Sequence, residues 1–149
     1  MQATVNPTLN PQVIGQAESA LGALLAPVLA ETGRTFEQWL VLTVLTANGG
    51  VQDRTQLIAR VAEARKIPDA AVETAVAQLT TAGALAAETG RLQLTAVGQA
   101  MHQAVRARID EVTAGIFDFT PDELVTVGRV LRAVTDRVNA FLAGHPAAA

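Results

Sequence analysis

Apolar residues recur at helical spacing in several segments of the chain, separated by short runs rich in Gly, Pro, Asn and Asp. The first segment begins at Asn10, which suits an N-cap, and continues with Pro11 at the first helical position. Gly33 follows its last turn. A second segment begins at Thr35, whose spacing to Gln38 matches a capping box. The pattern therefore predicts a long helix followed by a shorter one.

Two more helical segments follow an Asn-Gly-Gly run. Asp53 suits the N-cap of the first, and a break at Pro68 separates it from the second. The second extends from about Ala70 to Thr81, with Asp69 as its N-cap. Both segments place branched apolar side chains on one face, so the spacing predicts two short helices that share a core.

The stretch ALAAETGRLQLTAVG, residues 84–98, changes from helical spacing to alternation. Leu85 begins one strand, and Thr89-Gly90 suits a two-residue turn. Alternating leucines mark the return strand, and Thr95 is placed to cap the next helix. The alternation predicts a β-hairpin with a turn of minimal length.

Two long helices complete the pattern. The first carries apolar residues at Val97, Met101, Val105, Ile109, Val112 and Ile116. The second begins at Thr120, with a proline at its first position and a capping-box glutamate. Its apolar residues alternate spacings of three and four, which defines an a/d seam formed by Leu124, Val127, Leu131, Val134, Val138 and Phe141. Such a seam needs a partner surface, and so small a protein cannot cover two long terminal helices, so we expect a homodimer.

Composition restricts the chemistry of the protein. The chain has 149 residues, half of them hydrophobic, with 3% aromatic residues and no cysteine. The absence of cysteine excludes disulfides, thiolate nucleophiles and cysteine-based metal sites. The formal net charge of −3 is unusual for a free-standing nucleic-acid binder, because phosphate neutralisation supplies most of the affinity of such proteins. Any basic surface must therefore be local.

The sequence offers little support for catalysis. It has two histidines, His102 and His145, and its adjacent acidic pairs point to different helix faces. We find no metal-ligand spacing and no glycine-rich phosphate loop, so we expect a non-enzyme without metal or cofactor. The N-terminus lacks signal-peptide features, and no uncharged apolar run approaches the roughly 18 residues of a membrane span. We expect a cytoplasmic protein without a membrane partner.

Four segments in this order resemble the MarR family of bacterial transcriptional regulators. They are FEQWLVLTVL (36–45), TQLIARV (55–61), VETAVAQLTTAGAL (72–85) and LQLTAVGQAM (92–101). The resemblance covers about residues 10–143 and implies a mainly α, winged helix-turn-helix fold of four helices, a hairpin wing and two final helices. It also implies a homodimer whose recognition helices enter DNA major grooves, and a small, often aromatic and anionic, ligand that controls DNA binding.

The resemblance also implies a division of the chain. Residues 10–34 would be an N-terminal dimerisation helix, residues 35–95 a winged-helix lobe and residues 96–143 the C-terminal dimerisation helices, between tails at 1–9 and 144–149. The helix over 69–81 would be the recognition helix.

This sequence departs from the family pattern because its predicted recognition helix carries no basic residue. Family members carry Ser or Thr at its start and arginine near the positions of Thr74 and Gln78, whereas residues 69–81 contain two acids and no Lys or Arg. Family wings are long and carry an Asp-x-Arg motif, but this hairpin is short and its one basic residue is Arg91. We therefore keep two hypotheses: a DNA-binding regulator that we expect to act as a repressor, and a winged-helix dimer that has lost specific DNA binding and serves as a ligand-binding or protein-interaction module.

Eight residues are the candidates for DNA contact. Phosphate contacts would come from basic and hydroxyl side chains flanking the recognition helix, and base contacts from hydroxyl and amide groups on it. In chain order the candidates are Arg54, Thr55, Arg65, Lys66, Thr74, Gln78, Thr81 and Arg91.

Five residues are the candidates for a ligand site: Phe36, Trp39, Met101, His102 and Arg106. Trp39 is the single tryptophan of the chain, and an imidazole with a neighbouring arginine suits a carboxylate or phenol. The alternative for Trp39 is core packing, and for His102 a solvent-exposed or core-satisfied side chain.

Overall fold

The computed structural model describes residues 7–145, so most of the expected tails, 1–6 and 146–149, lie outside the described residues. The elements are α1 (Pro11–Thr32), α2 (Phe36–Ala47), β1 (Val51–Asp53), α3 (Arg54–Arg65), α4 (Asp69–Thr81), β2 (Leu85–Glu88), β3 (Arg91–Leu94), α5 (Ala96–Thr113) and α6 (Pro121–Gly144). This order confirms the mainly α, winged helix-turn-helix fold. Two compact units divide the chain, Met1–Val112 and Thr113–Ala149.

Four helices begin where side-chain caps were expected. Asn10 accepts a hydrogen bond from the Val13 amide at 3.0 Å, and Asp53 accepts one from the amide three residues on at 2.9 Å. Thr35 and Thr120 each form a complete capping box with the residue at the third helical position. Each cap satisfies amide groups that have no partner inside the helix, which is why local sequence predicts these four starts.

Two expected helix boundaries were wrong. The N-cap of α4 is Pro68, with no side-chain cap bond, and Asp69 lies inside the first turn. Pro68 can occupy the N-cap because its extended backbone (φ −63°, ψ 147°) leads into the helix. The Asp69 carboxylate, in the first turn, still lies at the positive end of the helix dipole. Ile116 does not belong to α5, because the helix ends at Thr113 and Gly115 adopts a left-handed φ of +82°.

The sheet contains a strand that the sequence did not indicate. All pairings are antiparallel in the order β1-β3-β2, and the β2–β3 turn has left-handed φ values at Thr89 (47°) and Gly90 (76°). Such values are typical of a type I′ turn, so the two-residue hairpin is confirmed. The hydrophobic pattern did not predict β1 because its buried residue is polar: Gln52 is buried, while Val51 and Asp53 are exposed.

A single aliphatic core holds α2, α3, α4 and the sheet together. Helical spacing predicts six inward residues on α3 and α4, and all are buried in this core: Leu57, Ile58, Val61, Val72, Val76 and Leu79. The core consists of Val41, Leu42, Leu45, Leu57, Ile58, Val61, Ala62, Val72, Ala75, Val76, Leu79, Ala84, Leu85, Leu92 and Leu94. With no aromatic ring among these residues, the lobe depends on close packing of small and medium side chains.

Hydrogen bonds of Thr95 join the start of α5 to the turn that precedes the hairpin. The Thr95 hydroxyl accepts from the Gly98 amide at 3.1 Å and donates to the Gly83 carbonyl at 2.6 Å. A methyl group added at Gly98 would overlap the Ala84 carbonyl oxygen and lie 2.6 Å from Leu94 Cδ1. Glycine is therefore required at residue 98 for the helix to approach the strand.

The long helices differ in how they are covered. α1 is joined to α5 by the Arg108 guanidinium, which donates to Glu31 at 3.1 Å. Of the described residues, none on α6 is buried, and four seam residues are among the exposed large hydrophobics: Leu124, Val127, Val138 and Phe141. The predicted seam therefore exists as an apolar stripe that a single chain leaves open to solvent.

Among the described helices, α1 alone has the length and hydropathy of a membrane-crossing helix, and 11% of its apolar window is buried. Glu18 and Glu31 interrupt its apolar sequence. Helices of soluble proteins meet the same two criteria, so this feature is weak as a membrane signal.

Candidate nucleic-acid interface and ligand cleft

Two of the candidate DNA-contacting arginines lie together beside the hairpin turn. The Arg54 amide donates to the Gly90 carbonyl at 3.0 Å, and Asp53 faces Arg91 in the β1–β3 register. The unpredicted strand β1 thus brings the start of α3 against the turn. A short wing and the first residue of α3 form one edge of the lobe, at which Thr55 is also exposed.

The other two basic candidates lie at the opposite end of α3. The Arg65 guanidinium lies 4.2 Å from the centroid of the Phe36 ring, a cation–π arrangement, and Lys66 forms an ion pair with Glu63. Arg54 and Arg65 are separated by three helical turns, so they share a face of α3 and lie roughly 16 Å apart along its axis. The helix therefore carries positive charge at both ends.

The outer face of α4 bears hydroxyl and amide groups. Thr74, Gln78 and Thr81 are exposed and lie on one helical face. The Thr74 hydroxyl donates to the Ala70 carbonyl at 3.0 Å, and the Gln78 side-chain oxygen accepts from the buried Gln38 at 2.7 Å. The face carries no cation, and Glu73 adds a negative charge.

The ligand candidates Trp39 and His102 are in direct contact. Their ring centroids are 4.8 Å apart and their planes differ by 11°, so indole and imidazole are stacked. Burial, and to a smaller extent the positive charge of Arg106, holds the pKa of His102 below its ordinary value. The imidazole is therefore mainly neutral at pH 7, with its ring orientation set by the tryptophan.

A cleft of about 260 Å³ opens beside His102, between the end of α2, the sheet and α5. Hydroxyl, amide and imidazole groups share its wall with glycine and leucine, and the residues are Thr46, Gly49, Gly50, Leu94, Gln99, His102 and Gln103. Sequence reasoning missed the two glutamines. Their i, i+3, i+4 relation to His102 was the available signal, since it places all three side chains on one face of α5.

The other three ligand candidates lie elsewhere. Phe36 lines a different cleft, with α1 residues such as Leu29 and Ala30. Met101 packs against the aliphatic core, and Arg106 forms an exposed ion pair with Asp110 at 3.0 Å. The structure brings Trp39 and His102 together but does not gather all five candidates around one cavity. Within residues 7–145, no group of three or more acidic or histidine side chains could hold a metal ion.

No protein-family model and no curated protein matches the chain. Solved structures do. NadR in complex with 4-hydroxyphenylacetate is 23% identical, with a TM-score of 0.69 over 87% of this chain and 96% of that one. The Mycobacterium tuberculosis MarR family protein Rv2887 in complex with DNA is 22% identical, with a TM-score of 0.61 over 86% of this chain and 98% of that one.

A third structure, from a study of how 6-hydroxynicotinic acid regulates DNA binding by Bordetella bronchiseptica BpsR, is 19% identical, with a TM-score of 0.65 over 90% of this chain and 99% of that one. Near-complete coverage of both chains shows that the likeness extends to the terminal helices as well as the lobe. The chain has the fold of MarR family regulators.

Proposed function

We propose that this chain is a MarR-type transcriptional regulator: a cytoplasmic homodimer that binds double-stranded DNA, acts as a repressor, and responds to a small aromatic acid. The observation that carries the proposal is the construction of the lobe. An exposed polar face of α4 lies in a helix-turn-helix with α3, and α3 bears arginine at both ends. This is the arrangement in which one helix enters a groove while its neighbour contacts phosphates.

Phosphate contacts are assigned to Arg54, Thr55, Arg65, Lys66 and Arg91. Arg54 and Arg91 lie together beside the hairpin turn, which supports a contact between the wing and the DNA phosphates even though the wing is short. With Arg60 the lobe offers five basic residues per protomer. If half of those in a dimer met phosphates, the logarithmic salt dependence of binding would have a slope of about −4 to −5.

Base contacts are assigned to Thr74, Gln78 and Thr81. Their hydroxyl and amide groups can form hydrogen bonds with base edges, but none can form the bidentate arginine–guanine pair. Losing that pair reduces discrimination by about 1–3 kcal/mol per half-site. We therefore propose specific but modest DNA binding.

Dimerisation is assigned to residues 10–34 and 96–143, with residues 35–95 as the DNA-binding lobe. The exposed apolar seam of α6 supports this assignment, because a stripe of that size on a lone chain would favour association. The hydropathy of α1 has the same explanation, since a dimer would cover its apolar face.

A small aromatic anion is the proposed effector, bound in the cleft beside His102. His102, stacked on Trp39, lines this cleft, and Gln99 and Gln103 supply hydrogen-bond donors for a carboxylate or phenol. Solved structures of the same fold contain 4-hydroxyphenylacetate or salicylic acid. We propose that occupancy changes the spacing of the two lobes and so releases DNA.

A second function is favoured by one observation, the absence of Lys and Arg from α4 together with Glu73 on its surface. The dimer would then be a ligand-binding or protein-interaction module that does not recognise operators. Fluorescence anisotropy discriminates between the two functions. The regulator should bind DNA from upstream of its own gene more tightly than a random duplex, with a steep salt dependence, whereas equal affinity for both duplexes at low salt would support the module.

A further inference from the structure

The capping box of α2 fixes the orientation of a buried amide. Gln38 is 7% exposed, and its Oε1 accepts from the Thr35 backbone amide at 3.2 Å. The Thr35 hydroxyl in turn accepts from the Gln38 backbone amide at 3.1 Å. Because a backbone amide can only donate, the side-chain atom facing it must be the oxygen. The Nε2 group of Gln38 therefore points to the other side.

That Nε2 group meets Gln78 on the recognition helix. It donates to Gln78 Oε1 at 2.7 Å. Because an amide NH2 can only donate, the Gln78 atom that faces it must also be the oxygen. The Thr35 backbone amide thus fixes the orientation of the Gln38 side-chain amide, which in turn fixes that of Gln78. The NH2 group of Gln78 is then available on the exposed face of α4.

We propose that Gln38 makes Gln78 a donor-only reader of bases, selective for guanine or thymine at the base pair it faces. Guanine offers two acceptors, O6 and N7, and thymine offers O4, whereas adenine presents its one acceptor, N7, beside the donor amine at N6. Glutamine pairs with adenine by donating and accepting at once, but here the oxygen is turned inward to Gln38. The inference rests on the proposed DNA-binding function and assigns a specificity-determining pair within it.

The neighbouring polar groups of α4 lack this constraint. The Thr74 hydroxyl donates to the Ala70 carbonyl at 3.0 Å, but it can rotate to donate elsewhere. An amide held by a buried partner cannot change its donor and acceptor ends at low cost. Gln78 is therefore the group on this face whose hydrogen-bonding sense is set in advance by the fold.

The decisive variant is Gln38→Glu. A carboxylate retains the capping bond to Thr35, but its second oxygen is an acceptor, so Gln78 must turn its NH2 inward and its oxygen outward. At the same base pair, preference should move to a base with an exocyclic amine, adenine or cytosine, by about fivefold per half-site. Selection from a randomised duplex pool, followed by sequencing, measures this preference.

Three further proteins complete the test. Gln78→Ala should lose the preference at that base pair, and the double variant Gln38→Glu/Gln78→Ala should behave as Gln78→Ala does. Gln78→Glu keeps the bond from Gln38 and turns an acceptor outward, so it should also favour adenine or cytosine and tests the inference even if Gln38→Glu does not fold. Thermal unfolding of each protein identifies any variant that is not folded.

Each outcome is decisive. A Gln38→Glu protein that folds and keeps the wild-type base preference overturns the inference, as does a Gln78→Glu protein with an unchanged preference. A difference between the double variant and Gln78→Ala at that base pair also overturns it. If the wild-type protein enriches no sequence from the pool, both the proposed function and the inference are overturned. If it enriches a sequence but the variants show the same base preference as the wild type, the inference alone is overturned.

Discussion

The imidazole of His102 on α5 is stacked on the indole of Trp39 on α2, with ring centroids 4.8 Å apart. The chain has no other tryptophan, so its indole fluorescence reports the state of this one pair. The contact joins the helix that follows the wing to a helix of the lobe, and His102 itself lines the cleft assigned to the effector.

Protonation of His102 should quench Trp39 fluorescence with a midpoint below the ordinary histidine pKa of 6.5, because burial and Arg106 disfavour the charged ring. Arg106→Gln should raise the midpoint, and His102→Gln should abolish the titration. His145→Gln controls for the other imidazole and should leave the curve unchanged. A midpoint at or above the ordinary value would contradict the lowered pKa.

The same shift predicts how stability depends on pH. The unfolded chain takes up a proton at His102 at a higher pH than the folded chain, so the folded state loses stability as pH falls from about 6.5 to the lowered folded pKa. Denaturant unfolding at several pH values measures the loss. His102→Gln should remove this part of the pH dependence and retain the rest.

Phenolic acids should bind beside the Trp39–His102 pair. We expect salicylate or 4-hydroxyphenylacetate to change the tryptophan fluorescence, and His102→Ala to weaken binding about tenfold or more by removing a hydrogen bond to the anion. Phe36→Leu is the matched control, because Phe36 lines a different cleft and its loss should leave affinity unchanged. If no phenolic acid in a panel altered the fluorescence of either wild type or His102→Ala, this effector class would be excluded.

A charge placed in the α6 seam should break the dimer. Val127 is 50% exposed on the seam, whereas Val125 is 70% exposed outside it, at a b position. Val127→Glu should yield mainly monomer in light scattering at micromolar concentration, because burying an unpaired carboxylate costs several kcal/mol. Val125→Glu should remain dimeric. If the two variants had the same oligomeric state, the seam would not be part of the dimer interface.

Removing an arginine from the wing edge should weaken DNA binding to all sequences alike. Arg54→Ala and Arg91→Ala should each reduce the salt slope by about 2 per dimer, since each dimer loses two phosphate contacts. Anisotropy titrations over a range of salt measure the slope. Arg129→Ala, at an outer position of α6, is the control and should change nothing; an unaltered slope for Arg91→Ala would show that the wing makes no phosphate contact.

Gly98→Ala should destabilise the junction of α5 with the hairpin. The added methyl group overlaps the Ala84 carbonyl oxygen, and backbone cannot move aside as a flexible side chain can. We expect a loss of about 1–3 kcal/mol in thermal or denaturant unfolding. Gly15→Ala, with open space at its Cβ, should instead stabilise α1 by about 0.5–1 kcal/mol.

The features of this protein that its sequence predicts are local. The caps at Asn10, Thr35, Asp53 and Thr120 join atoms three residues apart, and the turn at Thr89-Gly90 depends on two backbone conformations. Helical spacing then specified which faces of α3 and α4 enter the core. Such features are readable because the interacting groups lie within one turn of each other in the chain.

Contacts between groups that are distant in the chain depend on how the elements pack. Gln38 and Gln78 are 40 residues apart, and β1 pairs with β3 around a buried glutamine that no hydrophobic pattern would mark. The stack of Trp39 on His102 and the hydrogen bond from Arg54 to Gly90 likewise depend on how elements pack. These contacts follow from the packing of the whole aliphatic core, which fixes the distances between elements, and no short stretch of sequence carries that information.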